Sequence, residues 1–106
     1  MKDFDQFWGE KEHKPIDFKV FGKDEKLSPE MPASIVLQLM RAQKEYGNNV
    51  LPNIVYIEMA ITIFTKEKLE EWAKKGLSTN QMIELVQWAM DEYTGNARAV
   101  QMVEKD

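Results

Sequence analysis

The segment Asn53-Ile54-Val55-Tyr56-Ile57-Glu58-Met59-Ala60-Ile61-Thr62-Ile63-Phe64 decides how the rest of the chain is read, because nine of its twelve residues are apolar or aromatic. As a helix, it and the residue after it place the polar side chains Glu58, Thr62 and Thr65 at i, i+4 and i+7, a narrow stripe on an otherwise apolar cylinder. Such a helix belongs at the centre of a domain with neighbours around it. As a strand, it would alternate Val55, Ile57, Met59, Ile61 and Ile63 on one side, with β-branched residues in support. The length of the run favours the helix over the strand. So does Pro52, since a proline in the first helical turn gives up an N–H that would have no partner anyway.

Both flanks read as helices. Upstream, Pro32 to Tyr46 carries two stripes at helical spacing, one of Val36, Leu39, Met40 and Gln43, the other of Ile35, Leu39, Ala42 and Tyr46. Gly47 is placed to end that helix, and Asn48-Asn49 continue as a loop. Downstream, Thr65 can cap a short helix from Lys66 to Lys75, with Phe64 and Leu69 as a hydrophobic staple and Leu69, Trp72 and Ala73 inward. Gly76 ends it. Ser78-Thr79-Asn80-Gln81 is then a capping box with Leu77 and Met82 as its staple. The helix it opens, Thr79 to Tyr93, buries Met82, Leu85, Val86, Ala89 and Tyr93 and is expected to close at Gly95-Asn96.

The N-terminal part is different in kind. Ile16, Phe18 and Val20 alternate with Asp17 and Lys19 as a short strand, Phe21-Gly22-Lys23-Asp24 reads as a turn, and Glu25 to Leu27 can return as a hairpin partner resting on helices. Ser28-Pro29 and Met31-Pro32 end the extended region. Residues 1–15 form an arm in which Phe4, Phe7 and Trp8 align on one helical turn, suited either to cover the domain's own core or to grip a partner. Residues 97–106 form a tail containing Val100, Met102 and Val103 without a strong stripe, expected to fray or to extend as a helix on contact. The expected fold is therefore mainly α: a domain over 16–96 of about four helices, with room for a short N-terminal β-hairpin.

Composition narrows the function classes. A chain of 106 residues with 43% hydrophobic and 30% charged residues supports one folded domain with one core. Eighteen acids against 14 bases give a net charge of −4, and Arg41 and Arg98 are the only arginines, so nucleic acid is not an expected partner. There is no cysteine, which fits a reducing cytoplasm. The start lacks the pattern of a signal peptide and the central apolar run is too short to span a bilayer, so no membrane role is expected.

Catalytic chemistry is equally hard to place. His13 is the only histidine and lies among charges, while the acid pairs Glu70-Glu71 and Asp91-Glu92 sit at adjacent helix positions and point in different directions. No zinc ligand set, calcium loop or phosphate-binding glycine loop occurs, so no cofactor, metal or enzymatic activity is expected. The outline of short helix, glycine turn and longer helix around Gly76-Leu77-Ser78 resembles a helix-turn-helix. Its would-be recognition helix, however, carries Glu84, Asp91 and Glu92 and no Lys or Arg up to Tyr93, which opposes DNA binding. What the chain does have is surplus apolar surface. Trp88 and Met90 lie off the main stripe of the last helix, methionine is frequent, and with Phe4, Phe7, Trp8, Val100, Met102 and Val103 they are the candidate partner-binding residues.

The order of these parts resembles a known family. An extended segment with a Phe21-Gly22-Lys23 turn, a proline-started helix, an apolar helix, Gly76-Leu77-Ser78, a long amphipathic helix and Tyr93-Thr94-Gly95-Asn96 together resemble the small tail assembly chaperones of long-tailed bacteriophages and prophages, the group that includes lambda tail protein G. The likeness covers Ile16 to Asn96. It implies a helical, self-associating protein of the host cytoplasm that binds the tape measure protein, helps recruit tail tube protein, and is absent from the mature virion. It also implies a longer form made by frameshifting near the end of the reading frame. A small regulatory protein–protein interaction module is the alternative that fits the same composition.

Overall fold

The computed structural model describes residues 1–10, 14–47 and 50–104, with the side chains of residues 8–10 and 96–104 outside the description. His13 thus falls outside the described residues, as do the side chains of Trp8, Val100, Met102 and Val103. The elements in order are α1 (Phe4–Glu10), β1 (Ile16–Val20), β2 (Lys23–Leu27), α2 (Ala33–Tyr46), α3 (Asn53–Phe64), α4 (Lys66–Lys74) and α5 (Thr79–Glu104). The fold is mainly helical with one antiparallel hairpin, as the sequence leads one to expect.

The segment 53–64 is helical, and α3 packs on α2, α4 and α5. Val55, Met59, Ala60 and Phe64 are buried. Its enclosure is less complete than the apolar run suggests, since Ile54 is 53% and Ile61 42% exposed. The polar stripe is also not all solvent-facing: the Thr62 hydroxyl accepts a hydrogen bond from Gln38 Nε2 of α2 at 2.8 Å and donates to the Glu58 carbonyl at 3.1 Å. Pro32 and Pro52 each stand one position outside their helices, as extended N-cap residues with no side-chain cap bond.

Of the two stripes on α2, the one containing Ile35 and Ala42 enters the core, with Leu39 and Tyr46 half-buried against it. Val36 and Met40 of the other stripe face outward.

The helix boundaries around Gly76 follow local chemistry. Gly76, at φ 103°, donates to the Ala73 carbonyl and Leu77 donates to the Trp72 carbonyl, both at 3.0 Å, a Schellman closure of α4. Ser78 and Gln81 then form the reciprocal capping box: Gln81 N–H donates to Ser78 Oγ at 3.1 Å and Ser78 N–H to Gln81 Oε1 at 2.9 Å. Two corrections concern ends and faces. Ala73 is exposed rather than inward. The last helix does not close at Gly95-Asn96 but runs to Glu104; Gly95 does not adopt the left-handed conformation of a cap, and Ala97, Arg98 and Ala99 are good helix formers.

The hairpin is tighter than expected, because β2 begins at Lys23 and the turn is Phe21-Gly22 alone, both at positive φ (52° and 77°) as in a type I′ turn. Its register pairs Ile16 with Leu27, Phe18 with Glu25 and Val20 with Lys23 on the inward face, and Asp17 with Lys26 and Lys19 with Asp24 on the outward face. The outward pairs are ion pairs at 2.7 and 3.7 Å. On the inward face, Phe18 closes an aromatic cluster with Trp88 (5.2 Å between centroids), Phe64 (5.8 Å) and Trp72 (6.4 Å).

Candidate functional site

The buried surface of the hairpin includes one charge. Glu25 is 8% exposed, and Lys68 Nζ of α4 lies 2.7 Å from one of its carboxylate oxygens and 2.8 Å from the other. That hydrogen bond holds the Lys68 ammonium above the usual lysine range. One turn along α4, Glu71 meets Lys23 at 3.7 Å and Lys75 at 3.5 Å, and the Lys23 charge, followed by those of Lys75 and Lys68, holds its carboxyl below the usual range. The hairpin is thus fastened to α4 by charges on β2 and to α5 by the Phe18–Trp88 contact.

Fastening it there leaves a cleft between the turn and α5. Val20, Phe21, Leu77, Leu85 and Trp88 supply its apolar wall, Lys19, Gln81 and Glu84 its polar rim, and its volume is about 300 Å³. A second, more apolar groove of about 370 Å³ runs between α3, α4 and the start of α5, walled by Ile57, Ile61, Leu69, Ala73, Leu77 and Met82 with Lys66 and Glu70 at its edge. Leu77 belongs to both cavities. It reaches that position because the Schellman turn at Gly76 and the capping box at Ser78 fix the two residues on either side of it. The two cavities adjoin at Leu77, and the line from Phe21 across Leu77 to Ile61, the strip, has a cation and an anion beside each half.

Among the described residues, two non-glycine backbone positions adopt positive φ, Phe21 in the cleft wall and Thr65 outside both cavities. Phe21 is a bulky residue at φ 52° in a turn position that Asn, Asp or Gly would occupy more easily, and it is 47% exposed. Thr65, at φ 75° and ψ 152° between α3 and α4, is a β-branched residue in a region that glycine dominates. Its hydroxyl accepts from Lys68 N–H at 3.4 Å, a long cap bond. Chemically, the strip can bind an apolar helix face; among the described residues no cluster of His, Cys, Asp and Glu could hold a metal ion.

The sequence-derived candidates distribute unevenly over this arrangement. Trp88 is half-buried, one side in the aromatic cluster and the other in the cleft wall. Met90 packs against the core. Phe4, 53% exposed, and Phe7 lie on α1, where Lys2 Nζ sits 5.3 and 4.0 Å from their ring centroids, and neither is among the side chains packed on the core. Trp8, Val100, Met102 and Val103 lie outside the described side chains. Sequence reasoning missed Phe21, Leu77, Ile61 and Ala73 as surface-forming residues. The available signal was Phe21, an aromatic in a turn where the hairpin pattern asks for Asn or Gly.

No described helix is long and apolar enough to cross a membrane. No protein-family model, curated protein or solved structure matches the chain.

Proposed function

We propose that this chain is a non-catalytic binding protein that takes up one face of an amphipathic helix along the strip from Phe21 to Ile61. The observation that carries this reading is the sharing of Leu77 by two neighbouring apolar cavities, which adjoin there. Helix-in-groove recognition needs an apolar trough to receive anchors at i, i+3, i+4 and i+7, with flanking charges to set register. Lys19 and Glu84 beside the cleft and Lys66 and Glu70 beside the groove supply both signs.

The family resemblance gives the helix an owner. In this reading the partner is the tape measure protein, a long helical chain kept in solution in the host cytoplasm while tail tube subunits are recruited, and the chaperone leaves before the virion is complete. Co-expression with a tagged tape measure fragment tests it, using Ile61→Lys as the variant because Ile61 is already 42% exposed and its loss spares the core. The expected result is co-purification with the unaltered chain and at least about tenfold weaker binding by the variant, the loss of one well-placed anchor plus an unpaired charge, at unchanged thermal stability. Equal binding by both chains, or none by either, would overturn the assignment.

A further inference from the structure

A further cavity lies in the seam between α2 and α3 and shares no lining residue with the strip. Gln38, Arg41 and Glu45 recur on α2 at steps of three and four, and Ile54 and Glu58 stand four apart on α3, so each set lies along one face of its helix. Between them is a cleft of about 100 Å³. Gln38 crosses the seam: its Nε2 donates to Thr62 Oγ1 at 2.8 Å, and the Thr62 hydroxyl donates onward to the Glu58 carbonyl at 3.1 Å. With its proton committed to that carbonyl, the hydroxyl can only accept from Gln38, which turns Nε2 toward Thr62 and leaves Oε1 as the other end of the amide. That oxygen is buried and no group among the described residues donates to it, although Arg41 and Tyr46, both donors, line the same cleft. A buried acceptor in that state is costly unless something supplies the donor.

The charges of the cleft are also unmatched. Glu45 and Glu58 stand against Arg41, and among the described residues none of the three makes an ion pair. If Arg41 serves either carboxylate, the other remains, in the same cleft as an oxygen that needs a donor. A cation carrying several N–H groups satisfies both, and a guanidinium or an ammonium is such a group.

We propose that the cleft receives the guanidinium or ammonium end of a basic side chain on a protein partner, with one N–H donating to Gln38 Oε1 and the others to Glu58 and Glu45. Arg41 limits the cleft to one such cation, since a second would face its guanidinium. Ile54, 53% exposed in the cleft lining, offers an apolar ledge to the methylenes of the incoming stem. The volume admits a head group and not the α-carbon end, so a side chain is read rather than a free amino acid.

This site goes beyond the proposed function, and either can fail while the other stands. The amides of acetyl-arginine and acetyl-lysine are titrated into the isotope-labelled full chain at constant ionic strength. The amide of acetyl-citrulline, similar in shape and uncharged, is the control. The Gln38 side-chain amide and the Arg41 Nε–H should shift saturably with the basic compounds and not with the control, while Leu77 and Ile61 of the strip stay unmoved. Gln38→Met keeps the stem and removes the acceptor, and should weaken binding at least about tenfold. Glu58→Gln should weaken it about threefold, as for an exposed ion pair, and leaves the Thr62 bond in place because that bond uses the backbone carbonyl. Thermal melts check the fold of both, and Glu58→Gln decides the matter if Gln38→Met does not fold. No saturable shift, an equal response to the citrulline compound, or undiminished binding by the folded variants would each overturn the proposal. So would tighter binding of free arginine than of its blocked form, which would make the cleft a small-molecule site.

Discussion

Phe18→Ala tests whether the hairpin is a structural lid held by its aromatic anchor. Phe18 is half-buried and meets three rings, those of Trp88, Phe64 and Trp72, at 5.2, 5.8 and 6.4 Å. Truncating a fully buried phenylalanine costs about 3–5 kcal/mol, and half-burial brings the packing loss to roughly 2 kcal/mol. Lost ring–ring geometry adds about 0.5–1 kcal/mol, for a total near 2–3 kcal/mol. In a domain of this size that corresponds to a drop of about 10–20 °C in Tm. The loss is not spread evenly. A two-stranded hairpin is marginal by itself, so β1 and β2 should lift from α4 and α5 before the helices unfold. Urea unfolding followed by tryptophan fluorescence reads the total, and amide exchange of residues 16–27 reads where it falls. A loss below about 0.5 kcal/mol, within the range of an ordinary surface substitution, would refute the anchoring role.

Phe21→Asn should raise stability by about 0.5–1 kcal/mol, since asparagine accepts the left-handed conformation that phenylalanine strains to hold; urea midpoints measure this, and a destabilised variant would mean that Phe21 is held in place by packing. Ser78→Ala should cost about 1 kcal/mol by removing the capping hydroxyl, read in the same assay, with unchanged stability counting against the capping box. Stability should also fall at high pH, for two reasons of one sign. The Lys68 ammonium, hydrogen-bonded to Glu25, and the Tyr93 phenol, desolvated by burial, both titrate above their ordinary values, so the folded chain binds these protons more tightly than the unfolded one. Their contribution is complete below the ordinary values of about 10–10.5 and disappears as pH rises through the folded ones. Glu71 acts in the opposite window, its contribution present above the ordinary carboxylate range and lost as pH falls through its lowered value. Thermal melts across pH check both limbs, and a Tm rising above pH 10 would contradict the first.

The local code of this fold was legible wherever it lay within a few residues. The capping box at Ser78, the glycine closure at Gly76 and the central helix 53–64 all depend on short-range chemistry, and all appear as the sequence leads one to expect. The choice between the two stripes of α2 depends on what packs against them, and nothing within 33–46 distinguishes the Ile35 face from the Val36 face. Glu25 looks like an ordinary strand-surface acid until its partner is known, and Lys68 is 43 positions away. The end of α5 was misplaced because glycine is tolerated inside a helix at modest cost when good helix formers follow it. For the candidate site, Trp88 was singled out from its position off the main stripe, and it does stand in the cleft wall. The strip itself was not legible, because its walls come from the hairpin turn, α3, α4 and the start of α5, and no periodicity links these segments.

If the strip from Phe21 across Leu77 to Ile61 receives a partner's helix, as proposed, its amides must respond to that helix. Amide chemical-shift mapping of the isotope-labelled chain, titrated with a helical fragment of the tape measure protein, tests it directly. Shifts should concentrate at Phe21, Ile57, Ile61, Leu69, Ala73, Leu77, Met82 and Leu85 and saturate with the fragment. Shifts confined to α1 around Phe4 and Phe7, or to the outward face of α2, with the strip unmoved at saturation, would contradict it.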